Sequence, residues 1–192
     1  MEPHGDKLSR VLNERLEVVP YDPVWPTMFE AERRRLSACL PSGIVDRIEH
    51  FGSTAVPGLD AKPVIDMLIG VRSLDETRRT IVPILEAQGY DYFWRPTHGD
   101  DTPPWYAWFI RRDASGWRTH HLHMVETGPD FTGHWDRLLF RDFLILHPDL
   151  AREYAVLKRS LSHAGLDRVD YTRAKHGFIA KVTEEARRFF GK

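Results

Sequence analysis

One stretch, residues 50–71, constrains the fold of this chain more than any other. It reads HFGSTAVPGLDAKPVIDMLIGV, with a Gly-Ser turn, a connection rich in proline and glycine, and an apolar run over residues 64–71. An aliphatic run of this length between turn residues predicts a buried strand. Asp66 interrupts the run. Because a buried, unpaired carboxylate is unfavourable, Asp66 indicates either a functional site or a strand-end acid paired with a cation such as Lys62.

The turn before this strand supplies a second component of a ligand site. Gly52 allows the backbone to approach a ligand closely, and Ser53 and Thr54 offer hydroxyl groups. Successive backbone amides in such a turn can face an anion. Most Gly-Ser-Thr triplets are ordinary turns. The indication of a ligand site therefore comes from the combination of this triplet with Asp66 in the strand that follows.

A second candidate site lies in residues 119–126, which read THHLHMVE. Strand side chains alternate between faces, so His121 and His123 are expected on one face, opposite a core-facing Leu122. With Asp66 as a third ligand they would form a set of two histidines and one carboxylate, which suits zinc, manganese, nickel or iron better than an all-oxygen magnesium site. The alternative is a pair of histidines that only form hydrogen bonds.

The charge balance and the cysteine content narrow the class of protein. Lysine and arginine total 27 against 28 aspartates and glutamates, so the chain has no general attraction to nucleic acid or to membranes. The single cysteine, Cys39, cannot form an internal disulfide, as is typical of a reducing cytoplasm. No apolar run approaches the roughly 20 residues of a membrane span. We therefore expect a cytoplasmic protein without nucleic-acid or membrane partners.

The remaining periodicity predicts helices and strands up to about residue 130 and helices alone after it. Further strands are expected over residues 16–21, 44–51, 90–94 and 105–111. Helices are expected over residues 26–40, over 74–88 with a bend or a later start at Pro83, and after residue 133, the last over 170–190. We divide the chain into an N-terminal extension (1–15), a core (16–130) and a C-terminal helical segment (131–192).

Three separated motifs resemble one known family. They are residues 50–66, the THHLH segment at 119–123 and the FRDFL segment at 140–144. Together they are similar to the GrpB family of the nucleotidyltransferase superfamily, which includes DNA polymerase β-like enzymes. The resemblance extends from about residue 18 to the C-terminal helices. It implies an α+β fold with a nucleotidyltransferase-like mixed β-sheet core and helices, completed by the C-terminal helical segment.

One residue departs from the pattern of that superfamily. Its active members usually carry two acids in alternation on this strand, whereas the position two residues beyond Asp66 is Leu68. Leu68 is expected on the same face as Asp66 and cannot bind a cation. The absence of half of the carboxylate pair argues against the standard mechanism with two magnesium ions.

The leading hypothesis is an enzyme that transfers a nucleotide from a nucleoside triphosphate to a small molecule or a protein, with a divalent cation such as magnesium, manganese or zinc. Its residues are expected in three roles: triphosphate binding by Gly52, Ser53 and Thr54, cation binding by Asp66, His121 and His123, and compensation of developing charge by Lys62 or Arg118.

Two alternatives stay open. One is a non-catalytic module that binds a nucleotide or a small phosphorylated or acidic metabolite, and the other is a metal-dependent enzyme of another reaction type. Further cations could reach the same cleft, among them Arg141, Lys158 and Lys175. A polar outer face of the C-terminal helices explains these three residues more simply.

Overall fold

The computed structural model describes residues 17–97, 101–164 and 168–192. The predicted extension over residues 1–15 lies outside the described residues. The predicted strand over residues 16–21 is wrong for its described part, because only Val19 pairs there, in an isolated antiparallel bridge with Ala61.

A five-stranded mixed sheet forms the centre of the fold, in the order β1-β2-β5-β4-β3. The strands are β1 (Val45–Phe51), β2 (Ile65–Val71), β3 (Asp91–Pro96), β4 (Trp105–Arg112) and β5 (Arg118–Glu126). β2 and β5 run parallel, and the other neighbouring pairs are antiparallel. The other predicted strands and the α+β fold class are confirmed.

Seven α-helices accompany the sheet in the described residues. They are α1 (Trp25–Cys39), α2 (Leu74–Glu76), α3 (Val82–Ala87), α4 (Thr132–Leu146), α5 (Pro148–His163), α6 (Arg168–Ala174) and α7 (His176–Phe190). The helix predicted over residues 74–88, with a bend or a later start at Pro83, begins as α2 and passes through a π-helical turn, Thr77–Ile81. It continues as α3, which has Pro83 in its first turn, in agreement with the predicted later start. Pro83 has no N–H to donate to a regular helical hydrogen bond, and this is the physical reason for the local change of helix type before it.

The predicted final helix over residues 170–190 is also divided. α6 ends at Ala174, and Lys175 precedes α7 as its N-cap. Tyr171 of α6 and Lys175 of the turn that follows line one cavity together. A continuous amphipathic pattern in the sequence did not reveal this turn.

Helices cover both faces of the sheet. His50 stacks on Phe29 of α1 at 4.8 Å between ring centroids, while the neighbouring Glu49 pairs with Arg141 of α4 at 3.5 Å. Because adjacent residues of a strand face opposite sides, α1 and α4 lie on opposite faces. Both faces of the central strands are therefore buried.

The C-terminal helices also pack on the connection between β1 and β2. A second hydrophobic cluster joins Val56 and Leu59 of this connection to Phe143, Tyr154 and Val182 of the helices. The helical segment thus positions the Gly-Ser loop. The assignment of residues 131–192 as a separate unit stays a prediction. Among the described residues, no helix has the length and apolar character that crossing a membrane requires.

Candidate active-site cleft

The parallel pairing of β2 with β5 brings the acidic and histidine motifs together. Asp66 lies in register with His121, and Leu68 lies in register with His123. Oδ1 of Asp66 and Nδ1 of His121 are 3.0 Å apart. One candidate ligand atom from each of Asp66, His121 and His123 lies within 4.8 Å of the others. The three residues expected to bind a cation therefore meet on one face of the sheet.

The electrostatics of the Asp66–His121 pair favour a carboxylate beside a neutral imidazole. Burial raises the pKa of Asp66, but the hydrogen bond from His121 and the charges of Lys62 and Arg137 outweigh it and hold that pKa below its usual value. Burial lowers the pKa of His121 despite the nearby carboxylate. In this state Nδ1–H of His121 donates to Oδ1 of Asp66, which leaves the lone pair on Nε2.

The free nitrogen of His121 is the best indication of a ligand here. Nε2 of His121 is buried and has no hydrogen-bond partner among the described residues. A neutral imidazole with one N–H held by a carboxylate and a lone pair on the other nitrogen is a common arrangement of metal-binding histidines. Oδ1 of Asp66 has the orienting role here, so Oδ2 is the oxygen that Asp66 would offer to a cation. The residues present therefore fit a divalent cation.

A permanent cation lies beside the same group. Nη1 of Arg137, on α4, is 3.4 Å from Nδ1 of His123, and its guanidinium lies 5.5 Å from the ring centroid of Phe51. Burial and then the charge of Arg137 lower the pKa of His123 well below its usual value. Leu68, in register with His123, is fully buried. Leu68 occupies the position of the usual second acid, and it thus lies beside a histidine that already has the positive charge of Arg137 next to it.

The Gly-Ser loop contacts Asp66 directly. Gly52 has φ +73°, and a β-carbon there would lie 2.6 Å from Oδ2 of Asp66. The next residues form a short 3-10 turn, Ser53–Ala55. The buried Thr54 hydroxyl lies 3.0 Å from Nε2 of His50 and donates to the carbonyl of Val64 at 3.4 Å. These hydrogen bonds make Thr54 a residue that positions the loop.

The loop and the strand form one side of a cavity of about 160 Å³. Gly52, Ser53, Thr54, Lys62, Asp66 and His121 line this cavity, together with Tyr154, Lys158, Tyr171 and Lys175 from the C-terminal helices. Arg118 is buried on β5 and is not one of the lining residues, although its charge contributes to lowering the pKa of His121.

Two lysines of this cavity were expected on the outer face of the C-terminal helices. Lys158 is instead 2% exposed and lines the cavity. Lys175 lines it as well and is partly buried. A sequence signal was present, since Tyr154–Lys158 and Tyr171–Lys175 both have the spacing Tyr-x-x-x-Lys, which places two side chains on one helical face. Arg137 had no comparable signal.

Comparisons with known proteins agree with the resemblance of the motifs. UPF0157 protein PA4798 of Pseudomonas aeruginosa is 41% identical over 95% of this chain and 72% of its own length. UPF0157 protein YqkA of Bacillus subtilis is 36% identical over 91% of this chain, which spans only 48% of that protein. The crystal structure of conserved protein GrpB from Enterococcus faecalis has a TM-score of 0.77 and 30% identity, and the match covers 92% of this chain and all of that one.

A family model described as GrpB protein matches residues 15–185. This range includes the Gly-Ser loop, the strand with Asp66, the histidine motif and most of the C-terminal helices. The chain therefore belongs to the GrpB family, whose fold is nucleotidyltransferase-like.

Proposed function

We propose that this protein is a metal-dependent enzyme that transfers a nucleotide from a nucleoside triphosphate to an acceptor, either a small molecule or a protein. The acceptor oxygen forms a bond to the α-phosphorus, the α–β phosphoanhydride bond breaks, and pyrophosphate leaves. One observation carries the proposal. The ionised Asp66 lies against the Gly-Ser loop and accepts a hydrogen bond from Nδ1 of His121, whose Nε2 has no partner among the described residues, at the wall of a cavity also lined by lysines. Cation-binding and anion-binding groups thus share one cleft.

The loop would bind and orient the phosphates. The absence of a side chain at Gly52 lets the backbone lie against Asp66, so that a phosphate near Ser53 would also be near the carboxylate. Thr54 and His50 hold the loop in this position through their hydrogen bond. Fixed geometry of this kind lowers the entropy that the reacting groups lose on approach.

The charged residues would stabilise the reacting phosphate. A divalent cation bound by Asp66, His121 and His123 would act as a Lewis acid on the phosphate oxygens and orient the attacking oxygen. Arg137 adds a permanent positive charge next to His123, and Lys62 adds one at the cavity wall. Preorganised cations of this kind stabilise charge that develops in the transition state.

A second candidate is a non-catalytic module that binds a nucleotide or a small phosphorylated or acidic metabolite. The buried Leu68 supports it, because this position usually carries the second acid in active members of the superfamily. Both candidates require an anion in the cleft. They differ in whether a bond to phosphorus is broken.

The test combines metal analysis, nucleotide binding and transfer. Purified wild-type protein is compared with Asp66→Asn and with the double variant His121→Ala/His123→Ala, and the matched controls are Asp130→Asn and His163→Ala, two exposed residues. We expect one divalent cation per chain, lost in the site variants only, and transfer of radiolabel from an α-labelled nucleoside triphosphate that is lost with it. Nucleotide binding without transfer under any metal would favour the non-catalytic module, and the absence of both would exclude the enzyme.

A further inference from the structure

A cluster of lysines lies on the cavity wall that the C-terminal helices supply. Lys158 comes from α5, Lys175 from the turn between α6 and α7, and Lys62 from the connection before β2. All three line the same cavity as Asp66. Positive charges from three separate parts of the chain therefore converge on one small space.

Each ammonium group lies over the ring of a tyrosine that also lines the cavity. Nζ of Lys158 is 4.7 Å from the ring centroid of Tyr154. Nζ of Lys175 and Nζ of Lys62 are 4.3 Å and 5.3 Å from the ring centroid of Tyr171. The negative faces of the two rings attract the ammonium groups and limit their directions without neutralising their charge. We call this set of five residues the Tyr-Lys wall.

The charges of Lys158 and Lys175 lack a carboxylate partner. Lys158 donates to the backbone carbonyl of Asp60, whereas the carboxylate of Asp60 pairs with Arg159. Among residues 17–97, 101–164 and 168–192, neither Lys158 nor Lys175 forms a salt bridge. Because like charges that are partly removed from water and unpaired are unfavourable, their clustering indicates an anionic ligand.

The pKa values of Lys158 and Lys175 are both lowered, as expected for ammonium groups that are removed from water without a carboxylate partner. Burial and then the charge of Lys175 lower the pKa of Lys158 to about 7. Burial lowers the pKa of Lys175 to about 8, although Asp66 opposes the shift. A bound anion would favour the charged form of both lysines and reverse these shifts.

We propose that the Tyr-Lys wall is a subsite for a polyphosphate, the diphosphate or triphosphate part of a nucleotide. Several ammonium groups around one cavity call for a ligand with more than one negative charge, and lysine binds phosphate as a compact point charge. The direction of the ligand rests on the proposed function: the terminal phosphates lie on the wall, and the phosphate next to the nucleoside lies towards Asp66. Binding of the polyphosphate itself requires no transfer reaction.

The probes are inorganic triphosphate, inorganic phosphate and citrate, titrated calorimetrically with EDTA present so that no divalent cation contributes. The variants are Lys158→Met and Lys175→Met. The matched control is Lys181→Met, since Lys181 lies on α7 with a side chain 75% exposed and outside the cavity. We expect triphosphate to bind the wild type and the control alike, and each wall variant to bind about tenfold more weakly or worse, a loss typical of a charge-assisted contact.

A stability measurement separates loss of the subsite from loss of the fold. Lys158→Met removes a buried charge without a carboxylate partner, so the ligand-free variant should be at least as stable as the wild type at pH 7. Weaker binding by a stable variant supports the subsite. Equal binding by all variants, absence of triphosphate binding, or equal affinity for inorganic phosphate or citrate overturns it. Triphosphate binding that depends on the wall, in a protein that transfers no nucleotide, would refute the proposed enzyme and leave the subsite standing.

Discussion

The backbone of Gly52 lies directly against the carboxylate of Asp66. A β-carbon on Gly52 would come within 2.6 Å of Oδ2 and within 3.2 Å of the β-carbon of Asp66. Asp66 cannot move aside freely, because His121 holds its other oxygen at 3.0 Å. The loop and the strand therefore position each other, and the candidate site depends on the absence of a side chain at residue 52.

Gly52→Ala is expected to destabilise the protein and to displace Asp66 from His121. The matched control is Gly58→Ala: Gly58 has φ +77°, close to the +73° of Gly52, but a β-carbon there would contact nothing within 4 Å. Gly58→Ala should lose about 1 kcal/mol from the positive-φ backbone. Gly52→Ala should lose more, because φ +73° with ψ −172° is a conformation adopted essentially only by glycine and because the added β-carbon meets Asp66, and it alone should bind metal weakly. Urea unfolding and metal titration check this. Equal effects of the two variants would show that the contact with Asp66 is unimportant.

Arg137→Gln is expected to separate cation binding from transfer. Loss of the guanidinium removes a repulsive charge beside His123, so the pKa of His123 should rise and a divalent cation should bind at least as tightly as in the wild type. Transfer should nevertheless fall by about two orders of magnitude, the usual effect of removing one preorganised charge donor. NMR titration of the histidines, metal titration and the labelled-nucleotide assay test it, with exposed Arg152→Gln as control. Weaker metal binding in Arg137→Gln would contradict this role.

Acid should destabilise the protein between about pH 6.5 and pH 4. Burial lowers the pKa of His50 from 6.5 to about 4, so the unfolded chain binds a proton in this range and the folded chain does not. Stability therefore falls as the pH decreases through this window, and the lowered pKa values of His120, His121 and His123 act in the same direction. Urea unfolding at several pH values should give a shallower loss for His50→Gln than for exposed His163→Gln. The same dependence of stability on pH in both variants would argue against His50 as a source of the acid destabilisation.

Alkali should stabilise the ligand-free protein between about pH 7 and pH 10. The pKa of Lys158 is about 7 in the folded state against 10.5 for an ordinary lysine, so the unfolded chain binds more protons in this range and stability rises with pH. The slope is at most about 1.4 kcal/mol per pH unit for each proton. The rise should end near pH 10, because burial raises the pKa of Tyr171 to about 12 and deprotonation then favours unfolding.

Lys158→Met should reduce this alkaline rise, most of all between about pH 7 and pH 8, because Lys175, with a pKa lowered to about 8, still contributes above pH 8; Lys181→Met should keep the full rise. Unfolding free energies in urea at pH 7, 8 and 9 provide the measurement. Saturating inorganic triphosphate should also reduce the slope in the wild type, because the bound anion keeps Lys158 charged. An unchanged slope in Lys158→Met would mean that this lysine is ordinarily protonated in the folded protein.

Local patterns in the sequence were sufficient to predict the five strands of the sheet and the two main motifs. The apolar run around Asp66 and the alternation around His121 and His123 each predict a strand, because strand periodicity depends on neighbouring residues. Proline also predicts local effects, as the π-helical turn before Pro83 demonstrates. The isolated bridge at Val19 shows where such patterns fail, since a short apolar segment forms a strand only if a neighbouring strand is available.

The sequence by itself determined the α+β class, the Gly-Ser loop, the strand acid, the paired histidines and the membership of the GrpB family. Only the tertiary structure decided that Asp66 meets His121, 55 positions away along the chain, that Arg137 lies beside His123, and that the Tyr-Lys wall lines the same cavity as Asp66. The parallel register of β2 and β5 and the faces of the C-terminal helices depend on packing across the whole fold. The sequence pattern around a helical lysine is the same whether the side chain faces water or a cavity. Only the position of the helix in the fold distinguishes these two environments.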